Sequence, residues 1–271
     1  MTESSGEGAN PSRETYDAYW LHGRSDERSE APQGHEEVFL TEMPGSRGTV
    51  AGLISSAIVD HHFHRARIAD RLADLGYSEA AAFFADELPK TNNTRKGNFG
   101  EVIASEHLIQ RYGFRMPVFK LRFRDVRDMP MRGEDIVAFR MNQEGQIEEV
   151  IVGEAKTVVR YRGSTVKEAH DRLREAYYPR PMTLSMLSEI LYESGNAETA
   201  RQIDRVSDAL ARGDFDRSNW IFLINEKQPA DAFACLDDKN QIPNLNCIGI
   251  ELPGLTEFIN SLFERPSIPE K

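Results

Sequence analysis

The segment 147–159 constrains the fold most, because it is a predicted β-strand that carries charged residues on an apolar face. Its Val-Ile-Val run is typical of a buried strand. Alternation places three valines and two charged residues on the same face: Val150, Val152, Glu154, Lys156 and Val158. An E-x-K triplet occurs by chance about once in a chain of this length, but Lys and Glu are almost never fully buried unless they are paired. Glu154 and Lys156 therefore indicate a charged site inside a sheet.

A second strand, predicted at about 134–141, brings another acidic residue to this one. If the hairpin turns on residues 143–146, Asp135 lies directly opposite Glu154. Two carboxylates opposed on one face of a sheet repel each other. The arrangement therefore favours a divalent cation, or the ammonium group of Lys156, between them. A turn shifted by one residue would instead direct Asp135 to the other face of the sheet.

A helix predicted at 98–112 contributes a third acidic residue. Asn98 is expected to cap this helix and Gly113 to end it. On a helical wheel Glu101 falls in the middle of the apolar arc. A buried carboxylate is costly unless a cation or a hydrogen-bond donor meets it. Glu101 is therefore either a site residue or an acid that is paired near the positive start of the helix.

These charged residues occur on a helix, on a strand and on the next strand. In this order, four residues resemble the catalytic residues of the PD-(D/E)xK nuclease superfamily, which has the restriction-endonuclease-like fold: Glu101, Asp135, Glu154 and Lys156. Four segments look more closely like the nuclease-type effector subunits of the Hachiman antiphage system: residues 96–101, 120–122, 133–137 and 153–157. The proline that precedes the Asp in the superfamily motif is absent, and Glu134 stands there instead.

The resemblance implies a role for each of these residues. Asp135 and Glu154 would bind Mg²⁺, for which Mn²⁺ can substitute, together with the backbone carbonyl of Ala155. Oxygen ligands suit Mg²⁺, which keeps several bound waters. Lys156 would orient the attacking water and help to deprotonate it, and Glu101 would support this ion or a second one. The implied reaction is the hydrolysis of phosphodiester bonds in DNA.

The resemblance also implies a partner and a cellular role. The protein would be the effector of an antiphage defence complex, kept inactive until an associated helicase subunit signals foreign or damaged DNA. The sequence contains no G-x-x-x-x-G-K-[ST] phosphate loop, so the chain itself is not expected to hydrolyse ATP. Two alternatives stay open: a catalytically inactive module of the same fold that binds DNA or a partner, and a metal-dependent RNase.

Charge is distributed unevenly along the chain. The whole chain has 33 basic and 44 acidic residues, a net charge of -11, so it is not expected to coat nucleic acid by charge alone. Residues 90–140, by contrast, hold 11 basic and 6 acidic residues. Arg132, in the loop before Asp135, is the best single candidate for a phosphate contact. Three further candidates share one face of a strand predicted at 119–124: Lys120, Arg122 and Arg124. The alternative is that this face is only the solvated side of an edge strand.

The pattern of elements predicts an α/β protein. Its expected core is restriction-endonuclease-like, in the order αβββαβ, with helices flanking a mixed sheet. Helices are predicted at residues 165–178, 183–194, 196–212 and 256–263, and further strands at 220–224 and 247–252.

Three regions are predicted along the chain. They are a disordered acidic tail (1–35), a helical N-terminal extension (36–95) and a nuclease-like domain (96–265) with a helical insertion at about 165–212. The tail contains four large apolar residues that are either stray or a short docking segment: Tyr16, Tyr19, Trp20 and Leu21.

Several classes of protein are disfavoured by the sequence. The apolar runs are far shorter than the roughly 20 residues needed to cross a bilayer, so no membrane partner is expected. The N-terminus lacks the pattern of a secretory signal, and Cys235 and Cys247 are the only cysteines. These features favour a reducing cytoplasm over a disulfide framework or a cysteine zinc site. A histidine cluster, His61, His62 and His64, is expected on a surface helix rather than at a metal.

Overall fold

A mixed sheet of seven strands runs through the part of the chain that the computed structural model describes, residues 15–23, 29–30, 35–124, 126–129, 133–176, 181–236 and 242–269. The strands are β1 (Leu21–Gly23), β2 (Ser29–Glu30), β3 (Glu36–Glu42), β4 (Ile136–Met141), β5 (Ile147–Val158), β6 (Arg217–Asn225) and β7 (Leu245–Glu251). Their order is β1-β3-β7-β6-β5-β4, and β2 also pairs with β3. Neighbours from β3 to β5 are parallel, whereas β4 is antiparallel to β5. β4 therefore forms one edge of the sheet.

Helices cover both faces of this sheet. The described helices are α1 (Tyr16–Trp20), α2 (Arg47–His62), α3 (Arg65–Glu87), α4 (Asn92–Tyr112), α5 (Gly163–Glu175), α6 (Met182–Glu193), α7 (Ala197–Arg212) and α8 (Leu255–Glu264), together with a 3₁₀ helix, Lys120–Phe123. One apolar core joins α1, α2, α4 and α8 to Trp220 and Phe222 of β6, and a second joins α5, α6 and α7 to Ile221 and Leu223. The predicted α/β class is confirmed.

The β4–β5 hairpin has the predicted register. Ile136 pairs with Gly153 and Phe139 with Val150, so Asp135, one residue before β4, lies level with Glu154. The turn is closed by the Asn142 side chain, which accepts hydrogen bonds from the backbone N–H groups of residues 144 and 146. The alternative of a turn shifted by one residue is therefore wrong.

Helix α4 begins six residues earlier than predicted. Its N-cap is Thr91, whose hydroxyl accepts a hydrogen bond from the backbone N–H of Thr94 at 3.3 Å. Asn98 therefore does not cap the helix but lies buried within it, where its side-chain amide is 2.8 Å from His62 Nε2. The end of the helix at Gly113 is confirmed, because this glycine has the left-handed conformation, with φ 69°, that typically ends a helix.

The strand predicted at 119–124 is instead the 3₁₀ helix. The predicted first strand of the αβββαβ core is therefore absent from the described residues. Lys120 is buried and donates a hydrogen bond from Nζ to the backbone carbonyl of Glu134 at 2.7 Å, while the Arg122 guanidinium donates to the backbone carbonyl of Asp60. The alternation misled the prediction because these cations bind acceptors inside the protein and do not face solvent.

The N-terminal region takes part in the fold. The disorder predicted for residues 1–35 is contradicted at 15–23, where Tyr16 and Trp20 are fully buried and form a docked segment; most of the remaining tail lies outside the described residues. The Asp17 carboxylate contacts His107 and Arg111 of α4. Burial alone would raise the pKa of Asp17, but its contacts with His107 and Arg111 outweigh burial and lower that pKa.

The extension predicted to be helical, 36–95, also contributes a strand. β3 lies within it and pairs in parallel with β7, from Glu36 opposite Asn246 to Thr41 opposite Glu251. This strand was missed because β3 is short and carries several acidic residues. The later elements follow the prediction closely, since α5 to α8, β6 and β7 each lie within a few residues of the predicted positions.

Candidate active site

The first predicted metal ligand, Asp135, is tied to the strand that carries the others. Its Oδ2 accepts a hydrogen bond from the backbone N–H of Ala155 at 3.0 Å. This contact joins the start of β4 to the middle of β5 through one carboxylate oxygen. Because Ala155 lies between Glu154 and Lys156, the contact fixes Asp135 beside both of them.

Glu154 shares one oxygen between two cations. Lys156 Nζ donates to Glu154 Oε1 at 2.6 Å, and Arg172 Nη1, on α5, donates to the same oxygen at 3.1 Å. Only 3% of Glu154 is exposed. The Arg172 side chain, by contrast, is 63% exposed, so it reaches this oxygen from the surface. Arg172 was not predicted, and no pattern in the sequence distinguishes it from Arg160, Arg162 or Lys167 nearby.

Glu101 reaches the same region from α4. The preceding residue, Gly100, packs so closely on β5 that a Cβ there would lie 2.4 Å from Thr157 Oγ1. This close approach brings Glu101 to the sheet, where its Oε2 is 4.0 Å from Lys120 Nζ. A small cavity of about 20 Å³ is lined by Glu101, Lys120 and Asp135 among others, and it has room for about one water-sized particle.

The crowding of carboxylates perturbs the ionisation of the site. Burial raises the pKa of Glu101 to about 8, against the attraction of Lys120, and the negative charges of Asp135 and Glu154 raise it further. Burial likewise raises the pKa of Glu154 to about 7, with a contribution from Asp135, although Lys156 and Arg172 oppose it. Both acids are therefore more easily protonated than an ordinary glutamate.

The four predicted catalytic residues are brought together. Asp135, Glu154 and Lys156 are linked by direct contacts or through Ala155, and Glu101 is close enough to both acids to feel their charge. The alternative for Glu101, an acid paired near the helix start, is partly right, because Lys120 is a buried partner at the limit of an ion pair.

The candidate nucleic-acid contacts have different surroundings. Lys120 is buried inside the site, and Arg122 is held by Asp60. Arg124 donates to the backbone carbonyl of Leu121 and to that of residue 127. The alternative of a solvated strand face is therefore wrong for these three residues. Arg132 lies outside the described residues.

The donor set matches a hard divalent cation in chemistry. The carboxylates of Asp135 and Glu154 and the carbonyl of Ala155 are oxygen donors of the kind that Mg²⁺ prefers. Burial first, and then the neighbouring carboxylates, raise the pKa of Glu101 and of Glu154, and a bound cation would favour their ionised forms. Across the residues that the structure describes, no three acidic, His or Cys side chains already converge as a metal-binding group. A metal would therefore be held by two carboxylates, the carbonyl and water.

Two members of the histidine cluster, His61 and His62, lie next to this site and not on the surface as predicted, whereas His64 is exposed as predicted. His61 and His62 are each 3% exposed. The ring of His61 stacks on Phe119 at 3.7 Å, and its Nε2 lies 2.8 Å from Glu106 Oε1. Burial lowers the pKa of His62 well below its usual value, so His62 is neutral. His61 and His62 are buried because the 3₁₀ helix and α4 both pack on α2.

Comparison with known proteins identifies the family of the chain. The model of the HamA family matches residues 18–266. The chain belongs to the HamA family. It is similar to the Hachiman protein HamA of Bacillus cereus, with 24% identity over 253 residues that cover 90% of this chain and 88% of that relative. The HamA match includes all four site residues, the docked segment from Ala18 onward and the whole sheet.

The HamA match also bears on the resemblance that the sequence alone indicated. The relationship to a Hachiman protein agrees with the resemblance seen in segments 96–101 and 153–157. In the described part of this HamA-family chain, no helix combines the length and apolarity needed to span a membrane.

Proposed function

We propose that this protein is a metal-dependent DNA endonuclease of the PD-(D/E)xK type and acts as the effector of Hachiman antiphage defence. The observation that carries the proposal is the joining of Asp135, Glu154 and Lys156 through Ala155 at the β4–β5 hairpin. Glu101, on helix α4, is distant from these three residues in sequence, yet the fold brings it close enough to Asp135 and Glu154 to feel their charge. A charged cluster that served only to stabilise the fold would not need three acids with mutual repulsion.

Asp135, Glu154 and the carbonyl of Ala155 would hold Mg²⁺, with Mn²⁺ as a substitute. When bound, the ion would polarise the phosphodiester bond and activate a water molecule. Asp135 is already oriented for this role, because its Oδ2 is held by the Ala155 N–H. Glu154 would bind the ion beside Lys156 and Arg172, the two cations that share its Oε1. Glu101 would balance the charge of this ion or of a second one.

Lys156 would act on the reacting atoms. Its Nζ lies in the site, held at 2.6 Å by Glu154, and its side chain is 18% exposed. An ammonium group at this position can donate a hydrogen bond to the attacking water and orient it, and can stabilise the negative charge that develops on the phosphate oxygens. Arg172, which is more exposed, would contact a phosphate of the DNA backbone.

The partner in this proposal is a helicase subunit that keeps the nuclease inactive until it signals foreign or damaged DNA. Residues outside 90–140 carry the whole acidic excess of the chain and would form the surface for this protein partner, because an acidic surface repels nucleic acid. Arg132 stays the proposed phosphate contact of the loop before Asp135.

The proposal is tested by incubating plasmid DNA with the purified protein and Mg²⁺, with and without the partner subunit. We expect nicking or linearisation when the partner is activated, and none with EDTA or with Glu154→Gln. A parallel panel of single-stranded RNA, double-stranded RNA and DNA separates a DNase from an RNase. Plasmid that stays intact in every mixture, while Glu154→Gln keeps its defence role in cells, would show that the protein is an inactive binding module.

A further inference from the structure

Glu134, the residue before Asp135, is buried and caps a distant helix. Its Oε1 accepts a hydrogen bond from the backbone N–H of Met182 at 3.2 Å, and its Oε2 accepts one from the N–H of Thr183 at 2.9 Å. These are the first two residues of α6, whose own N-cap, Pro181, makes no side-chain capping bond. Free N–H groups at a helix start need an acceptor, and here a residue from the other side of the site supplies it.

A side chain of α6 also accepts a hydrogen bond from the backbone of Glu134. The Glu134 backbone N–H donates to Thr183 Oγ1 at 3.1 Å. Gly133 makes this possible, because it has a φ of +86° and a Cβ at this position would lie 2.5 Å from the same hydroxyl. The main chain just before Asp135 is therefore anchored to α6 both by the side chain of Glu134 and by its backbone N–H.

The third group of Glu134, its backbone carbonyl, binds the site itself. It accepts the 2.7 Å hydrogen bond from Lys120 Nζ, and that ammonium group lies 4.0 Å from Glu101 Oε2. Glu134 therefore uses its side chain, its N–H and its carbonyl at once. It connects α6, Lys120 and the peptide that carries Asp135.

We infer that Glu134 is a positioning residue for the proposed metal site. By anchoring the 134–135 peptide to α6, it fixes the direction of the Asp135 carboxylate and the position of Lys120 beside Glu101. The inference rests on the proposed function in so far as Asp135 binds a metal. Residues that orient metal ligands typically change metal affinity or activity by roughly 10–100-fold when they are removed.

The test compares Glu134→Ala and Glu134→Gln with Asn196→Ala. Asn196 caps α7 through its Oδ1 and the Thr199 N–H, and so its loss removes a helix cap away from the site. Mn²⁺ affinity is measured by calorimetry on the whole protein. We expect Glu134→Ala to weaken Mn²⁺ binding by roughly 10–100-fold, Glu134→Gln to weaken it less, and Asn196→Ala to leave it unchanged.

A second readout needs neither metal nor catalysis. Hydrogen exchange of the Ala155 amide reports whether Asp135 Oδ2 still accepts its hydrogen bond. Protection of this amide should fall in Glu134→Ala and persist in Asn196→Ala. Unchanged protection, or a metal affinity equal to that of the wild type, would overturn the positioning role whether or not the protein cuts DNA. A wild-type protein that holds Mn²⁺ yet cleaves no nucleic acid in the presence of the activated partner subunit would instead overturn the proposed function alone.

Discussion

The backbone N–H of Ala155 donates a hydrogen bond to Asp135 Oδ2 at 3.0 Å. This contact makes the charge of Asp135 and its hydrogen bond separable by mutation. An asparagine at 135 keeps a side-chain oxygen that can accept from Ala155 but loses the negative charge, whereas an alanine loses both.

We expect Asp135→Asn to keep the stability of the wild type and to lose cleavage by at least about 100-fold, because a neutral amide is a poor ligand for Mg²⁺ and balances none of its charge. Asp135→Ala should lose cleavage and also about 1 kcal/mol or more of stability, because the Ala155 N–H is left without its acceptor. Plasmid cleavage and urea denaturation measure the two effects. Equal stability of the two variants would contradict the role given to this hydrogen bond.

Glu101 should make the stability of the metal-free protein fall as the pH rises. Its pKa in the folded protein is about 8, compared with 4.5 for an unperturbed glutamate. Below pH 4.5 both states are protonated and Glu101 has no effect. Between pH 4.5 and 8 the unfolded chain releases this proton while the folded chain holds it, so the free energy of unfolding decreases.

Glu101→Gln removes this titration. With EDTA present, the variant should gain stability relative to the wild type as the pH rises from 5 to 8, by on the order of 1 kcal/mol or more. Denaturation by urea at several pH values measures this difference. A stability difference between the two proteins that stays constant over this range would show that burial does not raise the pKa of Glu101.

Arg172 offers a prediction with opposite signs for two measurements. Arg172→Ala should raise the affinity for Mn²⁺, because one of the two cations that share Glu154 Oε1 is gone. The same variant should lower DNA cleavage by about 10-fold or more, because a charged contact to the phosphate backbone is lost. The matched control is Arg174→Ala, on the same helix but paired with Asp171, which should change neither. Weaker Mn²⁺ binding in Arg172→Ala would mean that Arg172 only supports Glu154.

The two glycines of α4 provide a test of the helix-to-sheet contact. Gly100→Ala places a methyl group against Thr157 Oγ1 and should cost about 1–3 kcal/mol through overpacking. We expect the added methyl group to displace α4 from β5 and with it Glu101, so cleavage should fall as well. Gly97→Ala on the same helix meets nothing within 4 Å and should be neutral or stabilising by about 0.5–1 kcal/mol. Urea denaturation compares them, and similar stabilities would argue against a close α4–β5 contact.

The sequence predicts the β4–β5 hairpin well, including its register, because alternation and a tight turn are both local signals. It also predicts helices α5–α8, because apolar residues spaced three and four apart are likewise a local signal. The segment 119–124 could not be predicted, since its alternating cations bind the Glu134 carbonyl and Asp60, which are distant in sequence. A period of two therefore arose without a strand.

The N-terminal segment and Arg172 were missed for a related reason. The composition of residues 1–35 is that of a disordered tail, and the contacts that order 15–23 are with residues distant in sequence, such as His107 and Arg111. Arg172 meets Glu154 across the packing of α5 on β5, a contact that no local pattern encodes. Glu101, Asp135, Glu154 and Lys156 were found because buried charge is itself a sequence signal.

Lys156 is proposed to act on phosphodiester bonds within this site. The most direct test of this role is the single-turnover cleavage of plasmid DNA by the wild type and by Lys156→Ala, each with Mg²⁺ and the partner subunit, after both are shown to fold and to bind Mn²⁺. We predict that the wild type cuts the plasmid and that Lys156→Ala is slower by at least about 100-fold. Cleavage by Lys156→Ala at the rate of the wild type would contradict the claim.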